Sequence, residues 1–161
     1  MAESDKPLWI LPFGLILGVT TKEEIEKRAT QQNDPKQKIN AYYKIGNYLD
    51  LYLSEGGILN KIRMTERFPT KWKSLSFEEL IGIEQFIEVI QNQGAINILK
   101  KDEYVFDFPG HQVQREVWIQ KILFNSPNEK MLYTALLNTE RYIKKHHTPK
   151  GVLWLDIEEA Y

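Results

Sequence analysis

Residues 48–54 read YLDLYLS, and this short stretch alternates between leucine and other side chains. Its three leucines share one side of an extended chain, whereas Tyr48, Asp50 and Tyr52 share the other. A period of two is typical of a strand that is buried on one face only. The stretch therefore predicts a half-buried β-strand.

Two further strands are predicted on either side of this stretch. The segment INAYYKI (39–45) precedes it and the segment ILNKIRMT (58–65) follows it. Gly46 lies in the first connection, and Gly56 and Gly57 lie in the second. Glycine adopts the positive φ angles that tight hairpin turns need. The sequence therefore predicts three antiparallel strands.

Capping boxes predict a helix before each of two strand groups. Thr21 and Glu24 have the spacing of a capping box, and a helix is expected from there to about Gln32. Ser76 and Glu79 have the same spacing. The second helix carries an apolar stripe at helical spacing, with a glycine where a C-terminal cap belongs: Leu80, Ile83, Phe86, Ile87, Ile90 and Gly94.

The order of cap, helix, three strands and turns recurs along the chain, which suggests an internal duplication. The first repeat is expected at about 13–66 and the second at about 74–124. No linker rich in proline, glycine or serine separates them, so they are expected to share one sheet within a single domain, 1–161.

A third helix start is predicted at Ser126, where proline follows the cap residue and Glu129 occupies the third position. The helix is expected to span about 127–145, with a last strand at VLWLDI (152–157). The expected fold is therefore α+β, with two helix-plus-three-antiparallel-strand repeats forming one sheet. A C-terminal helix and strand, 126–157, complete it.

The first unit resembles the helix-hairpin units of the β-lactamase-inhibitor-protein-like class, which includes small outer-membrane assembly lipoproteins. The start LGVTTKEEIEK (17–27) and the segment AYYKIGNYLDLYLSEGGILNKIRM (41–64) carry the resemblance. The chain departs from the lipoproteins because it has no cysteine. Members of this fold mostly bind other proteins, so the resemblance implies a non-catalytic binder or inhibitor of bacterial type.

The amino-acid composition limits the classes of partner that are expected for this protein. Lys and Arg total 21 and Asp and Glu total 22, which gives a net charge of −1 and no electrostatic footprint for nucleic acid. The longest apolar run, WILPFGLILGV (9–19), is shorter than the roughly 20 residues of a spanning helix. It is expected to form a structural strand. No membrane insertion is expected, and the location is cytoplasmic, or periplasmic if a leader has been removed.

Few residues suggest catalysis. Ser76 and Ser126 have the positions of caps, and His146 and His147 are adjacent rather than spaced to clamp a metal. No catalytic residue, metal site or cofactor is therefore assigned. The alternative is a small-ligand binding protein or a hydrolase that uses Asp50, Asp107 and His111, with a pocket between sheet and helices.

Aromatic residues are the candidate partner-binding residues, because tyrosine and tryptophan dominate interface hot spots. If the predicted strands form one curved sheet, these residues share a face; the other interpretation is that helices cover this face and make it core. The candidates are Tyr48, Tyr52, Tyr104, Phe106 and Trp118. The leading prediction is a non-enzymatic protein-binding module, such as an inhibitor or a toxin-neutralising immunity protein. A cell-envelope accessory protein is the rival of the same kind.

Overall fold

A single antiparallel sheet dominates the computed structural model, which describes residues 8–27, 30–32, 42–45, 49–65, 83–104, 117–138 and 152–160. The helices are α1 (Lys22–Glu26) and α2 (Ile83–Asn92), and a 3-10 turn spans Pro12–Gly14. The strands are β1 (Thr30–Gln32), β2 (Tyr42–Ile45), β3 (Leu49–Leu53), β4 (Leu59–Thr65), β5 (Ile96–Tyr104), β6 (Val117–Asn125), β7 (Met131–Asn138) and β8 (Val152–Glu159).

The eight strands lie in the order β1-β2-β3-β4-β8-β7-β6-β5. The first four strands form one meander and the last four form another. The two meanders meet at the centre of the sheet, where β4 pairs with β8 in antiparallel register from Lys61 opposite Glu158 to Thr65 opposite Trp154. The central pairing therefore joins the two halves of the chain.

The predicted fold class is wrong, because the structure is predominantly β. Met131–Asn138, expected inside the C-terminal helix, form the strand β7 instead, and each half of the sheet holds four strands rather than three. The helix predicted to reach Gln32 ends at Glu26, and residues 30–32 are a strand. The description of two helix-plus-three-strand repeats with a C-terminal helix does not hold.

The local reason for the missing helix lies in the turn before β7. The Ser126 hydroxyl accepts a hydrogen bond from the Met131 amide at 3.1 Å and donates one to Asn128 Oδ1 at 2.7 Å. Ser126 therefore closes a turn between two strands instead of capping a helix. Glu129 has a φ of 63°, which is left-handed and ends any helical path.

Other local predictions are confirmed. The strand predicted at 48–54 appears as β3, and the last strand appears as β8. Thr21 caps α1, because its side-chain oxygen accepts from the Glu24 amide at 3.4 Å. Gly94 follows α2 with a φ of 95°, which glycine adopts without strain. The proposed cap at Ser76 lies outside the described residues.

The inner face of the sheet carries the hydrophobic core. Cross-strand neighbours bring apolar side chains from six strands, β2 to β4 and β6 to β8, onto this face. Residues of α1, α2 and the N-terminal segment pack against it. The buried residues of the inner face are Tyr43, Leu49, Leu51, Ile62, Met64, Ile122, Phe124, Tyr133, Ala135, Leu137, Leu155 and Ile157.

A cluster of four aromatic rings fixes α2 and the N-terminal segment to the sheet. Phe124 stacks on Tyr133 at a centroid distance of 5.1 Å, and Phe86 of α2 meets Phe124 edge-on at 6.1 Å. Trp9 makes edge contacts to Tyr133 at 5.2 Å and to Phe124 at 6.1 Å. Such pairs add about 0.5–1.5 kcal/mol each beyond area burial.

Because Tyr133 is buried, we expect the protein to lose stability at alkaline pH. Burial raises the pKa of its phenol above the unfolded value of about 10, so the neutral form is favoured in the folded state. Its contribution is complete below that unfolded value and is lost as the pH rises past it, by up to about 1.4 kcal/mol per pH unit. We expect Tyr133→Phe to weaken this alkaline loss.

Chemical denaturation between pH 8 and 11 measures this effect. At pH 8 the variant should be about 1 kcal/mol less stable, because the Tyr133 hydroxyl donates to the Leu8 carbonyl at 2.8 Å. Burial and a hydrogen bond to Glu26 also raise the pKa of Tyr43, so some alkaline loss should persist in the variant. An identical slope in both proteins would exclude a role for Tyr133.

Candidate functional site

The N-terminal segment forms a strap, residues 8–20, across one end of the inner face. Three hydrogen bonds from distant parts of the chain anchor it. The Leu8 amide donates to Gln93 Oε1 at 2.8 Å, and the Trp9 indole donates to the Gln93 carbonyl at 2.6 Å. Tyr133 adds the bond to the Leu8 carbonyl. The start of the strap is thereby tied to the end of α2 and to β7.

The strap was expected to be a strand, and that prediction is wrong. Left-handed φ angles of 59° at Phe13, 71° at Gly14 and 77° at Gly18 turn the chain too often for extended structure. The far end is tied to β4 by two backbone bonds, from the Gly18 amide to the Leu59 carbonyl and from the Leu59 amide to the Thr20 carbonyl. The strap is therefore an irregular segment held at both ends.

The leucines of the strap and its isoleucine and valine side chains have different environments. Four leucines are almost completely buried and belong to the core: Leu8, Leu11, Leu15 and Leu17. Ile10, Ile16 and Val19 are 48%, 55% and 60% exposed. Only four large hydrophobic side chains in the described part of the chain are exposed to this degree, and the strap holds three of them. Such concentrations mark binding surfaces more often than scattered apolar residues do.

A groove of about 530 Å³ lies between the strap and the neighbouring ends of β7 and β8. This volume falls in the range of small-ligand and side-chain pockets. Its walls are mainly apolar, and the residues that line it are Trp9, Ile10, Leu11, Leu15, Ile16, Leu17, Asn128, Lys130, Met131, Glu159 and Ala160. We call this surface the strap groove.

Two opposite charges line the strap groove. Lys130 and Glu159 are both exposed, and their side chains form no ion pair or hydrogen bond among the described residues, either with each other or with a third group. The Glu159 carboxylate lies against Gly18, at the place where a β-carbon on that residue would project. The groove therefore combines apolar walls with an available cation and an available anion.

The outer face of the sheet, opposite the core, holds a different arrangement. Arg63 donates two hydrogen bonds to Asp156, from Nε at 2.7 Å and from Nη2 at 2.9 Å. Lys61 lies 3.5 Å from the same carboxylate, and Lys44 lies 3.7 Å from Asp50. The hydrogen bonds to Asp156 raise the pKa of Arg63 further, so the guanidinium stays charged. These charges satisfy one another within the sheet.

Aromatic rings extend the outer-face network. The Arg63 guanidinium lies 4.9 Å from the ring centre of Trp154, and Lys61 Nζ lies 5.6 Å from that of Tyr52. Cations over aromatic faces are attracted by about 0.5–1 kcal/mol at exposed sites. Because both rings are half-buried under their cations, this face is more fully occupied by its own contacts than the strap groove.

The predicted aromatic residues on described strands fall in two separate parts of the sheet, because Tyr104 and Trp118 lie on the adjacent strands β5 and β6 while Tyr52 lies in the other half. Tyr52 lies on β3, whereas Trp118 lies on β6 and Tyr104 ends β5 at the edge of the sheet. β4, β8 and β7 separate β3 from β6, a span of about 19 Å at the usual strand spacing. Tyr48 and Phe106, and the side chains of Tyr104 and Trp118, lie outside the described residues. Their role in binding stays a prediction.

The residues of the hydrolase alternative do not form a described site. Asp50 pairs with Lys44 on the outer face, and Asp107 and His111 lie outside the described residues. Within the described ranges, no three His, Asp or Glu side chains are close enough to hold a metal ion. None of the described helices has the length and apolar character to cross a membrane.

The strap groove is the feature that sequence reasoning missed. The signal was present, because the apolar run 9–19 contains Pro12 and Gly14 and so fits neither a regular strand nor a helix. A segment of this kind can cover a core with some side chains and present the rest.

Comparison with known proteins identifies no relative. No family model matches the chain, and neither the curated proteins nor the solved structures contain a match. The resemblance to β-lactamase-inhibitor-protein-like units therefore stays a prediction.

Proposed function

We propose that this protein is a non-enzymatic binding module that holds another protein at the strap groove. The observation that carries the proposal is the clustering of Ile10, Ile16 and Val19 on the strap, with two of the three lining a preformed apolar groove. An inhibitor or an immunity protein is the class of binder that the sequence favours. A cell-envelope accessory protein would use the same surface.

Two features of the groove support a protein partner. Exposed aliphatic side chains at its rim lose contact with water when a partner covers them, which is favourable by about 25 cal/mol per Å². The walls are fixed in advance, because the anchoring bonds of Leu8 and Trp9 hold the strap in place. A preformed surface also loses little conformational entropy on binding.

A small apolar ligand is the second candidate, and the size of the groove favours it. Ligand pockets of about 300–1,000 Å³ are usual, and the groove lies within this range. The sequence predicted a pocket between sheet and helices, whereas this groove lies between the strap and the ends of β7 and β8. Three exposed aliphatic side chains on the strap favour the larger partner.

Ile16→Asp should weaken binding of the partner by about 30-fold or more, which corresponds to the roughly 2 kcal/mol of a hot-spot residue. The substitution places a charge on an exposed rim position, so the fold should persist. The partner is captured from the native cells by cross-linking, identified and purified, and its Kd is then measured by calorimetry.

Leu99→Asp is the matched control, because Leu99 is 49% exposed and lies outside the groove on β5, an edge strand that β6 separates from β7. We expect its Kd to stay within about 3-fold of the wild type. Thermal unfolding of both variants checks that they remain folded. A larger loss of affinity in Leu99→Asp than in Ile16→Asp would place the interface elsewhere.

A further inference from the structure

We infer that the strap groove takes an extended peptide segment in which a short apolar run is flanked by one acidic and one basic residue. This inference rests on the proposed function, because it names the chemistry of the partner at that same surface. The apolar run enters the groove against Trp9, Leu15 and Met131. The flanking charges meet Lys130 and Glu159.

The charges of Lys130 and Glu159 indicate what kind of ligand the groove accepts. Charged side chains at the rim of an apolar groove lose part of their hydration when a ligand covers the groove, and a partner of opposite charge offsets this cost best. Lys130 and Glu159 have no such partner among the described residues. Their side chains also remain apart from each other, since no ion pair within 4.0 Å joins them. A ligand that meets both must therefore carry both signs.

Peptides meet this requirement better than single-headed amphiphiles do. A fatty acid offers one carboxylate for Lys130 and leaves Glu159 facing either that carboxylate or the alkyl chain. An alkylamine offers one ammonium group for Glu159 and leaves Lys130 facing either that ammonium group or the alkyl chain. An extended peptide rises about 3.3 Å per residue, so residues on either side of three apolar residues lie about 13 Å apart.

The test uses three capped peptides that share three leucines and differ only in their flanks: Glu-Leu-Leu-Leu-Lys, Glu-Leu-Leu-Leu-Glu and Lys-Leu-Leu-Leu-Lys. Their termini are acetylated and amidated, so that the flanks alone carry charge. Binding is measured by fluorescence anisotropy of a dye on the peptide. We expect the mixed peptide to bind the wild-type protein about 5-fold more tightly than either like-charged peptide, since exposed ion pairs are individually weak.

Charge reversal sharpens the test. Lys130→Glu should make the doubly basic peptide the preferred one, and Glu159→Lys should make the doubly acidic peptide the preferred one. The preferences should shrink in 1 M salt, where the Debye length is about 3 Å. Lys100→Glu is the control, because Lys100 lies on β5 and pairs with Glu84 at 3.0 Å. It should leave the order of the three peptides unchanged.

The binding experiments give different results if the peptide chemistry is wrong and if the groove is not the binding site. Equal binding of the three peptides, with all of it lost in Ile16→Asp, would overturn the charged-flank inference and leave the groove as the binding site. Tighter binding of decanoate than of the mixed peptide would overturn the peptide inference as well. Partner binding that is unaffected by Ile16→Asp would remove the proposed function itself.

Discussion

Phe124→Ala should destabilise the protein by about 3–5 kcal/mol, the usual cost of removing a fully buried phenylalanine. Phe124 is 0% exposed and touches the other three rings of the aromatic cluster: Trp9, Phe86 and Tyr133. The strap, α2 and the sheet all meet at this side chain. The alanine therefore leaves a cavity whose walls belong to three elements. Urea denaturation measures the difference in the free energy of unfolding.

Phe124→Leu provides the matched control, because it keeps most of the apolar volume and should cost less than about 1.5 kcal/mol. The alanine variant should also bind the partner more weakly, since Trp9 lines the strap groove and leans on Phe124. A loss of less than 1 kcal/mol in Phe124→Ala would show that the strap and α2 do not depend on the cluster.

Arg63→Met is expected to have the second large effect, lowering the free energy of unfolding by about 2–3 kcal/mol. Among the described residues, the substitution leaves Asp156, whose side chain is 11% exposed, with Lys61 as its ion-pair partner at 3.5 Å. Breaking a buried pair by removing one partner costs about 3–5 kcal/mol. The Arg63 side chain is 32% exposed, so the expected loss lies below that range.

A double-mutant cycle separates the ion pair from the loss of packing. Arg63→Met combined with Asp156→Leu removes both charges, and we expect this double variant to be more stable than Arg63→Met alone. The reason is that no carboxylate is then left half-satisfied at the centre of the sheet, where β4 meets β8. A double variant less stable than the single one would mean that Asp156 is not destabilised by losing Arg63.

Strand patterns were predictable from the sequence where one face is apolar and the other is not. In β3 the leucines 49 and 51 are completely buried, as the alternation predicts, while Asp50 and Tyr52 lie on the outer face. The cap at Thr21 and the glycine at Gly94 were also readable, because each satisfies a local backbone requirement.

The segment from Ser126 shows why the C-terminal helix was not predictable from its cap. A serine followed by proline and glutamate fits a helix start, and the same serine can equally close a β-turn through its hydroxyl. The residues that follow decide between the two. Tyr133, Ala135 and Leu137 are buried on the inner face, but Leu132 and Leu136 fall between them, so the apolar residues of this strand do not alternate and the sequence pattern does not identify it.

Contacts between distant parts of the chain explain the remaining differences between the predicted fold and the observed one. The sequence pattern identifies strands without saying which strands are neighbours, and the pairing of β4 with β8 joins residues from opposite halves of the chain. That pairing separates Tyr52 from the strand of Trp118 and brings Arg63 beside Asp156. The strap groove likewise depends on contacts of Leu8 and Trp9 with Gln93, which no local pattern encodes.

Site-specific photo-cross-linking tests the central claim most directly. A photoreactive amino acid replaces Ile16 in one variant and Leu99 in another, and both variants are irradiated in the native cells. We predict a discrete covalent adduct with one partner protein from position 16 and none from position 99. An adduct from position 99 alone would contradict the account, because it would place the partner on the edge strand β5 rather than at the strap groove.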